Sequence, residues 1–182
     1  MKQCVIDLEE VCLPDIIECN DLTQWNFYLE QLYQNVFVPD FIKTKPTFRG
    51  LPVVIRREPR DGEWEHGFTH MTHVDLLHNS SNQNDRIPDL RRSERVNWVR
   101  KIIEHDECFN KKRCGEILYW EEMYRGRIRS NLLFESERFL VVLEKARNAY
   151  LLITSFYIEE DYSLERRKKK YIKYNQQKTP LV

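Results

Sequence analysis

Nowhere in this chain do apolar residues run on for the stretch of about 18 that a membrane span needs, so no spanning helix is expected. The five cysteines, Cys4, Cys12, Cys19, Cys108 and Cys114, form no CxxC pair and are odd in number. That disfavours a disulfide framework and a cysteine-based zinc site; a cytoplasmic protein with reduced thiols is expected. The opening MKQCVIDLEEVC is too acidic for a secretory signal. Net charge is lacking as well, because 29 basic residues balance 29 acidic ones. Bulk charge therefore does not announce a nucleic-acid binder, and only local patches can. Clustered carboxylates are missing too: Asp75 and Asp85 are isolated, and Glu121 and Glu122 point to opposite faces of a strand. Hard cations such as Mg²⁺ have no evident ligand set, and no cofactor is expected.

What is present is enough for a real core: 182 residues, 41% of them hydrophobic, reading as one domain with appendages. Asn20 or Asp21 can cap a first helix in which Leu22, Trp25, Leu29, Leu32, Tyr33 and Val36 recur at helical spacing until Pro39. A short strand comes next, around Val53 to Arg56. The segment EHGFTHMTHVDLLH would place His66, His70, His73 and Leu77 on one helical face, although Gly67 and the threonines weaken that helix. Residues 78–88, HNSSNQNDRIP, read as a polar surface loop.

From about Asp89 to Glu104 a stronger helix carries Val96, Trp98, Val99, Ile102 and Ile103 on one stripe. Arg91, Arg92 and Arg95 share that stripe, so they line a cleft, pair with carboxylates or snorkel outward. Four strand-like runs succeed it with short breaks: GEILYWEE, GRIRSNLLFE, RFLVVLEK and AYLLITSFYIE. Short breaks imply hairpins, hence an antiparallel meander. Asp161 or Ser163 can then cap a basic helix in which seven of residues 163–178 are Lys or Arg, against the single acid Glu165. The expected fold is α+β, a four-stranded antiparallel meander flanked by N-terminal helices and a basic C-terminal helix.

Imidazole moves protons near neutral pH, and guanidinium holds a phosphate through paired donors. Cleavage of RNA by its own 2′-hydroxyl needs a base, an acid and a cation near the phosphorus. His70, and after it His73, are the candidate bases. Either could equally be a hydrogen-bonded core or surface histidine. Thr154 or Ser155, on the last strand, is a hydroxyl that can face a cleft or serve only β propensity. Arg127 and Arg129 share a strand face; they could hold a phosphate or merely coat the sheet. Lys168, Lys169 and Lys170, with Tyr171 and Tyr174 nearby, suit a nucleic-acid backbone with stacked bases, or a solvated helix face. Two other readings stand beside a ribonuclease: a binding module without catalysis, and a metal-dependent hydrolase using His66, His70 and His73.

In order, FRGLPVVIRR, FTHMTH, RIPDLRRSERVNWVRKIIE and RIRSNLLFESERFLVVLEKARNAYLLITSFYIE, with the basic helix after them, form a recognisable series. Over roughly residues 46–175 the chain resembles the phage- and prophage-associated barnase-like domains of the barnase–EndoU–colicin–RelE superfamily of RNases. The resemblance implies a metal-independent endoribonuclease, toxin-like, with RNA as substrate and an antitoxin or immunity protein as partner. By position it makes His70 the catalytic histidine, an arginine such as Arg95 the phosphate holder and Thr154 or Ser155 the hydroxyl. Arg91 and Arg92 then join the RNA-binding set. Residues 46–178 would be the RNase domain, with residues 1–45 an acidic segment and helix packed on it.

Overall fold

The computed structural model describes residues 13–75, 86–105 and 117–178. Leu77, His78, Asp85 and four of the five cysteines lie outside them, while Cys19 is a free thiol. Asp21 caps a short 3₁₀ turn, Leu22–Gln24, by accepting the amide of Thr23. Helix α1, Trp25–Leu32, then buries Tyr28, Leu29 and Leu32. The chain does not stop at Pro39. It widens into a π-helical segment, Tyr33–Lys43, that takes Pro39 inside and buries Phe37 and Phe41. A looser turn relieves the clash of the proline ring with the preceding carbonyls that would break an α-helix there.

Strands β1, Thr47–Phe48, and β2, Leu51–Ile55, form a hairpin around Arg49 and Gly50, both at positive φ. Helix α2 spans His66–Thr72. It leads into β3, His73–Asp75, which pairs with β4, Arg86–Pro88, as a separate two-stranded sheet. The end of the expected polar loop is therefore a strand. The long arginine helix is two: α3, Leu90–Ser93, and α4, Val96–His105. Ser93 Oγ donates back to the carbonyl of Asp89 at 2.8 Å, the kind of bond that bends a helix.

The remaining strands are β5, Ile117–Tyr124, β6, Arg127–Phe134, β7, Phe139–Lys145, and β8, Tyr150–Tyr157; helix α5, Asp161–Lys178, closes the chain. The expected four-stranded antiparallel sheet is corrected here. The main sheet has six strands in the order β1-β2-β8-β7-β6-β5 and is mixed. The run β5 to β8 is antiparallel throughout, but β2 joins the far side of β8 in parallel, Val53 opposite Tyr150 and Ile55 opposite Leu152. Hairpin breaks in a sequence reveal only antiparallel neighbours. A parallel partner arrives by a long crossover and leaves no local turn signal.

Both faces of this sheet are covered, which is why β7 reads as an unbroken apolar run, FLVVL. One face, with Leu132, Val141 and Leu143, packs on α1, the π-helical segment, α2 and α4 through Leu29, Phe37, Phe68 and Ile102. Residues 13–43 thus share one core with the sheet and with α2 and α4. The other face, with Leu118, Trp120, Leu133, Leu140 and Val142, lies under α5 through Leu164, Tyr171 and Tyr174. Among the described residues no helix is long and apolar enough to cross a membrane.

Candidate active site

Strand β2 pairs with only the first half of β8, residues 150–152, so it leaves the outer edge of Ile153–Tyr157 to other elements. Helices α2 and α3 fill that place. Gly67 lets α2 come down on the end of β2: its amide donates to the carbonyl of Arg56 at 2.8 Å, and an added Cβ would stand 3.0 Å from Ile55 Cβ. Gly67→Ala is therefore expected to lower stability by about 1–3 kcal/mol through overpacking. A urea midpoint equal to wild type would show that α2 can shift without cost.

The glycine that weakened the predicted helix is thus what seats it, and the helix carries His66 and His70 one turn apart. Their rings stack with centroids 4.0 Å apart. His73 does not join them. The helix ends at Thr72, and His73 is extended, buried, with Nδ1 2.8 Å from Thr72 Oγ1. Among the described residues no three His, Cys, Asp or Glu side chains sit close enough to hold a metal ion. The metal-dependent reading therefore loses its three-histidine ligand set.

Guanidinium groups surround the stacked pair. Arg86 Nη2 lies 3.4 Å from His70 Nδ1. Arginine can only donate, so Nδ1 there presents its lone pair and Nε2 carries the proton. Arg92 Nη1 donates to the carbonyls of His70 (3.4 Å) and His73 (3.1 Å) and to Thr154 Oγ1 (3.5 Å), while its Nε holds Asp89 at 3.1 Å. Thr154 in turn donates to the carbonyl of His70 at 3.3 Å.

Burial first, then Arg56 and Arg86, lowers His66 to about 4. Burial, then Arg86, His66, Arg56 and Arg92, lowers His70 to about 3. His73 is lowered too, again mainly by burial. All three are neutral at physiological pH. Acid should therefore destabilise the fold in a defined window. Below about pH 6.5 the unfolded chain takes up protons that the folded chain refuses until about pH 4 to 3, so stability is complete above that window and lost on descending through it. The urea midpoint should fall from pH 6.5 to 4, and fall less in a His66→Asn/His70→Asn variant. Parallel curves for the two proteins would contradict the depressed values.

The other candidates disperse. Arg95 stacks over Trp98 and Tyr157, 5.1 and 5.0 Å from the ring centroids, and donates to the carbonyl of Arg91. Arg91 is exposed against Glu159 at 3.3 Å and over Tyr157. Ser155 is fully buried on the core side of β8, its hydroxyl without a partner. Arg127 pairs with Glu144 at 2.6 Å, and Arg129 stacks on Tyr124 at 3.7 Å. On α5, Lys168 pairs with Glu135 and Glu165, Lys170 with Glu122, and Lys169 is exposed. So His70, Arg92 and Thr154 come together. The buried His73 feels the charges of Arg86 and Arg92 but bonds Thr72 rather than the stacked pair, and Arg95 and Ser155 lie apart from them. Arg56 and Arg86 are the site cations that the sequence did not disclose; one ended a strand, the other sat in an apparent loop.

No family model matches the chain, and neither a curated protein nor a solved structure does. The resemblance to barnase-like domains rests on the order of its motifs alone.

Proposed function

We propose that this protein is a metal-independent endoribonuclease, toxin-like and acting in the cytoplasm, that cleaves RNA by attack of the 2′-hydroxyl. The observation that carries this reading is the stacked His66–His70 pair under the charges of Arg56, Arg86 and Arg92. A phosphodiester drawn to those guanidiniums would take Arg86 as its partner and release the Nδ1 lone pair of His70. Its negative charge would also raise the proton affinity of the imidazole at that moment, offsetting the arginines. His70 then accepts the 2′-hydroxyl proton as the 2′-oxygen bonds to phosphorus. The 5′-oxygen leaves with a proton taken from water, His70 gives its proton back to solvent, and the products are a 2′,3′-cyclic phosphate and a 5′-hydroxyl. Arg92 and Thr154 hold the His70 backbone rather than the phosphate.

The test is incubation with single-stranded RNA and with DNA, with and without a chelator. Chelator-resistant RNA cleavage leaving cyclic phosphate, with DNA spared, is expected. Products ending in 3′-hydroxyl, or cleavage of DNA, would reject the mechanism. Growth arrest on expression, relieved by an antitoxin or immunity protein, is the cellular counterpart.

The depressed histidines favour a second reading, a nucleic-acid-binding module without catalysis, because a group titrating near 3 carries protons poorly at neutral pH. Tight RNA binding with no cleavage would establish it.

A further inference from the structure

On the sheet face opposite the main core, β5 to β8 and α5 bound a groove of about 240 Å³. Four cationic side chains line it: Arg129 from β6, and Arg166, Arg167 and Lys170 from α5. Glu122 is the carboxylate of that lining, and Lys170 neutralises it at 2.5 Å. Two of the arginines lie over aromatic rings of the same groove. Arg129 covers Tyr124 at 3.7 Å, and Arg167 covers Phe156 at 5.2 Å. A guanidinium over a ring can still offer in-plane N–H groups to an anion and its outer face to another ring. In Arg167 Nη1 is taken, donating to the carbonyl and hydroxyl of Ser163. Glu144 stands 4.0 Å from Arg129 Nε, beyond hydrogen-bond reach, and is already held by Arg127.

The groove meets the histidine cluster. Thr154 lines the groove and also touches Arg92 and the carbonyl of His70. Phe156 is flanked by Arg167 from the groove side and by Arg92 at 5.4 Å. In the other direction, a second groove of about 280 Å³ shares Trp120, Glu122 and Lys170 with the first and adds Lys173, Tyr174 and the carboxylate of Glu121, which accepts from Tyr119. Positive charge therefore runs from Arg92, beside the histidines, into the first groove under α5. One ligand chemistry satisfies such a track at several points: a chain of phosphates interleaved with planar rings.

We infer that the groove under α5 seats one arm of a single-stranded RNA next to the bond to be cut, with its phosphates on the arginine edges and its bases on the guanidinium planes. A duplex hides the ring faces that this arrangement meets. The inference rests on the ribonuclease reading for its choice of RNA.

The probe is a labelled single-stranded RNA with every 2′-hydroxyl methylated, which cannot be cut by internal attack, titrated by fluorescence anisotropy at several salt concentrations. Arg129→Gln/Arg167→Gln should weaken binding about tenfold or more, and flatten the salt dependence by about 0.7 for each phosphate no longer neutralised. Arg166→Gln, on the exposed side of the helix, gives a second variant should Arg167 prove needed for folding; it should weaken binding in the same sense. Lys43→Gln, remote on the π-helical segment, should bind as wild type. Unchanged affinity in the groove variants overturns the inference, whatever a cleavage assay shows. Equal displacement of the RNA by polyglutamate also overturns it, because charge alone then suffices. Binding through these arginines, with unmodified RNA left uncut by the wild type, would instead sink the ribonuclease reading and leave the groove standing.

Discussion

His70→Ala is expected to lower RNA turnover by about 10²–10⁴-fold, the usual worth of a positioned acid or base. His73→Ala should behave differently. That side chain is buried with Nδ1 bonded to Thr72, so its loss should lower stability and leave turnover per folded molecule near wild type. The pH profile separates this site from an ordinary histidine. A base with the usual value would lose activity below about pH 6.5. Burial and the Arg86 charge take His70 to about 3, so the unprotonated form persists and kcat/KM should show no acid limb until well below pH 5. An acid limb near 6.5 that vanishes in His70→Ala would contradict the electrostatics described for the free protein. Full activity in His70→Ala would remove His70 from the mechanism.

Arg92→Met should be the most destabilising single change at the site, by about 2–4 kcal/mol; that is somewhat less than for a fully buried pair, because Asp89 keeps contact with water. One guanidinium ties together the end of α2, the start of β3, the cap of α3 and the second half of β8. Removing it unfastens the His70 backbone, so activity should fall beyond what the loss of folded protein explains. Lysine should not rescue, since a single ammonium cannot reach the carbonyls and the Asp89 carboxylate in one plane. A denaturation midpoint within error of wild type in Arg92→Met would show that the sheet edge and α2 hold without it.

Elements with strong local periodicity are legible in the sequence: the Val96–Ile103 stripe, the four strands from Ile117 to Tyr157, the basic terminal helix. Each depends on neighbours close along the chain. The parallel place of β2 beside β8 is not legible, since Val53, Val54 and Ile55 carry β propensity but no sign of a partner beyond Tyr150. Nor is the passage of the π-helical segment through Pro39. At the site, His70 and Thr154 can be nominated from residue type, but their meeting depends on α2 occupying the edge that β2 vacates. Arg92 is legible as an arginine out of place on an apolar stripe. Its bonds to backbone carbonyls cannot be read from a spacing. Arg86 is hidden because a polar run reads as loop until a partner strand is known.

The bond between Thr154 and the His70 carbonyl joins residues 84 positions apart. A ribosome releases the chain from the N-terminus, so α2 emerges long before β8 exists to hold it. Until β8 clears the exit tunnel, His66 and His70 have no sheet edge to rest on and Arg92 has no Thr154 to reach. On the proposed ribonuclease reading, a nascent chain would thus be inert toward the messenger and ribosomal RNA surrounding it. Contacts of such long sequence separation also form slowly, which leaves an interval after release in which a partner could capture the protein before the site is assembled.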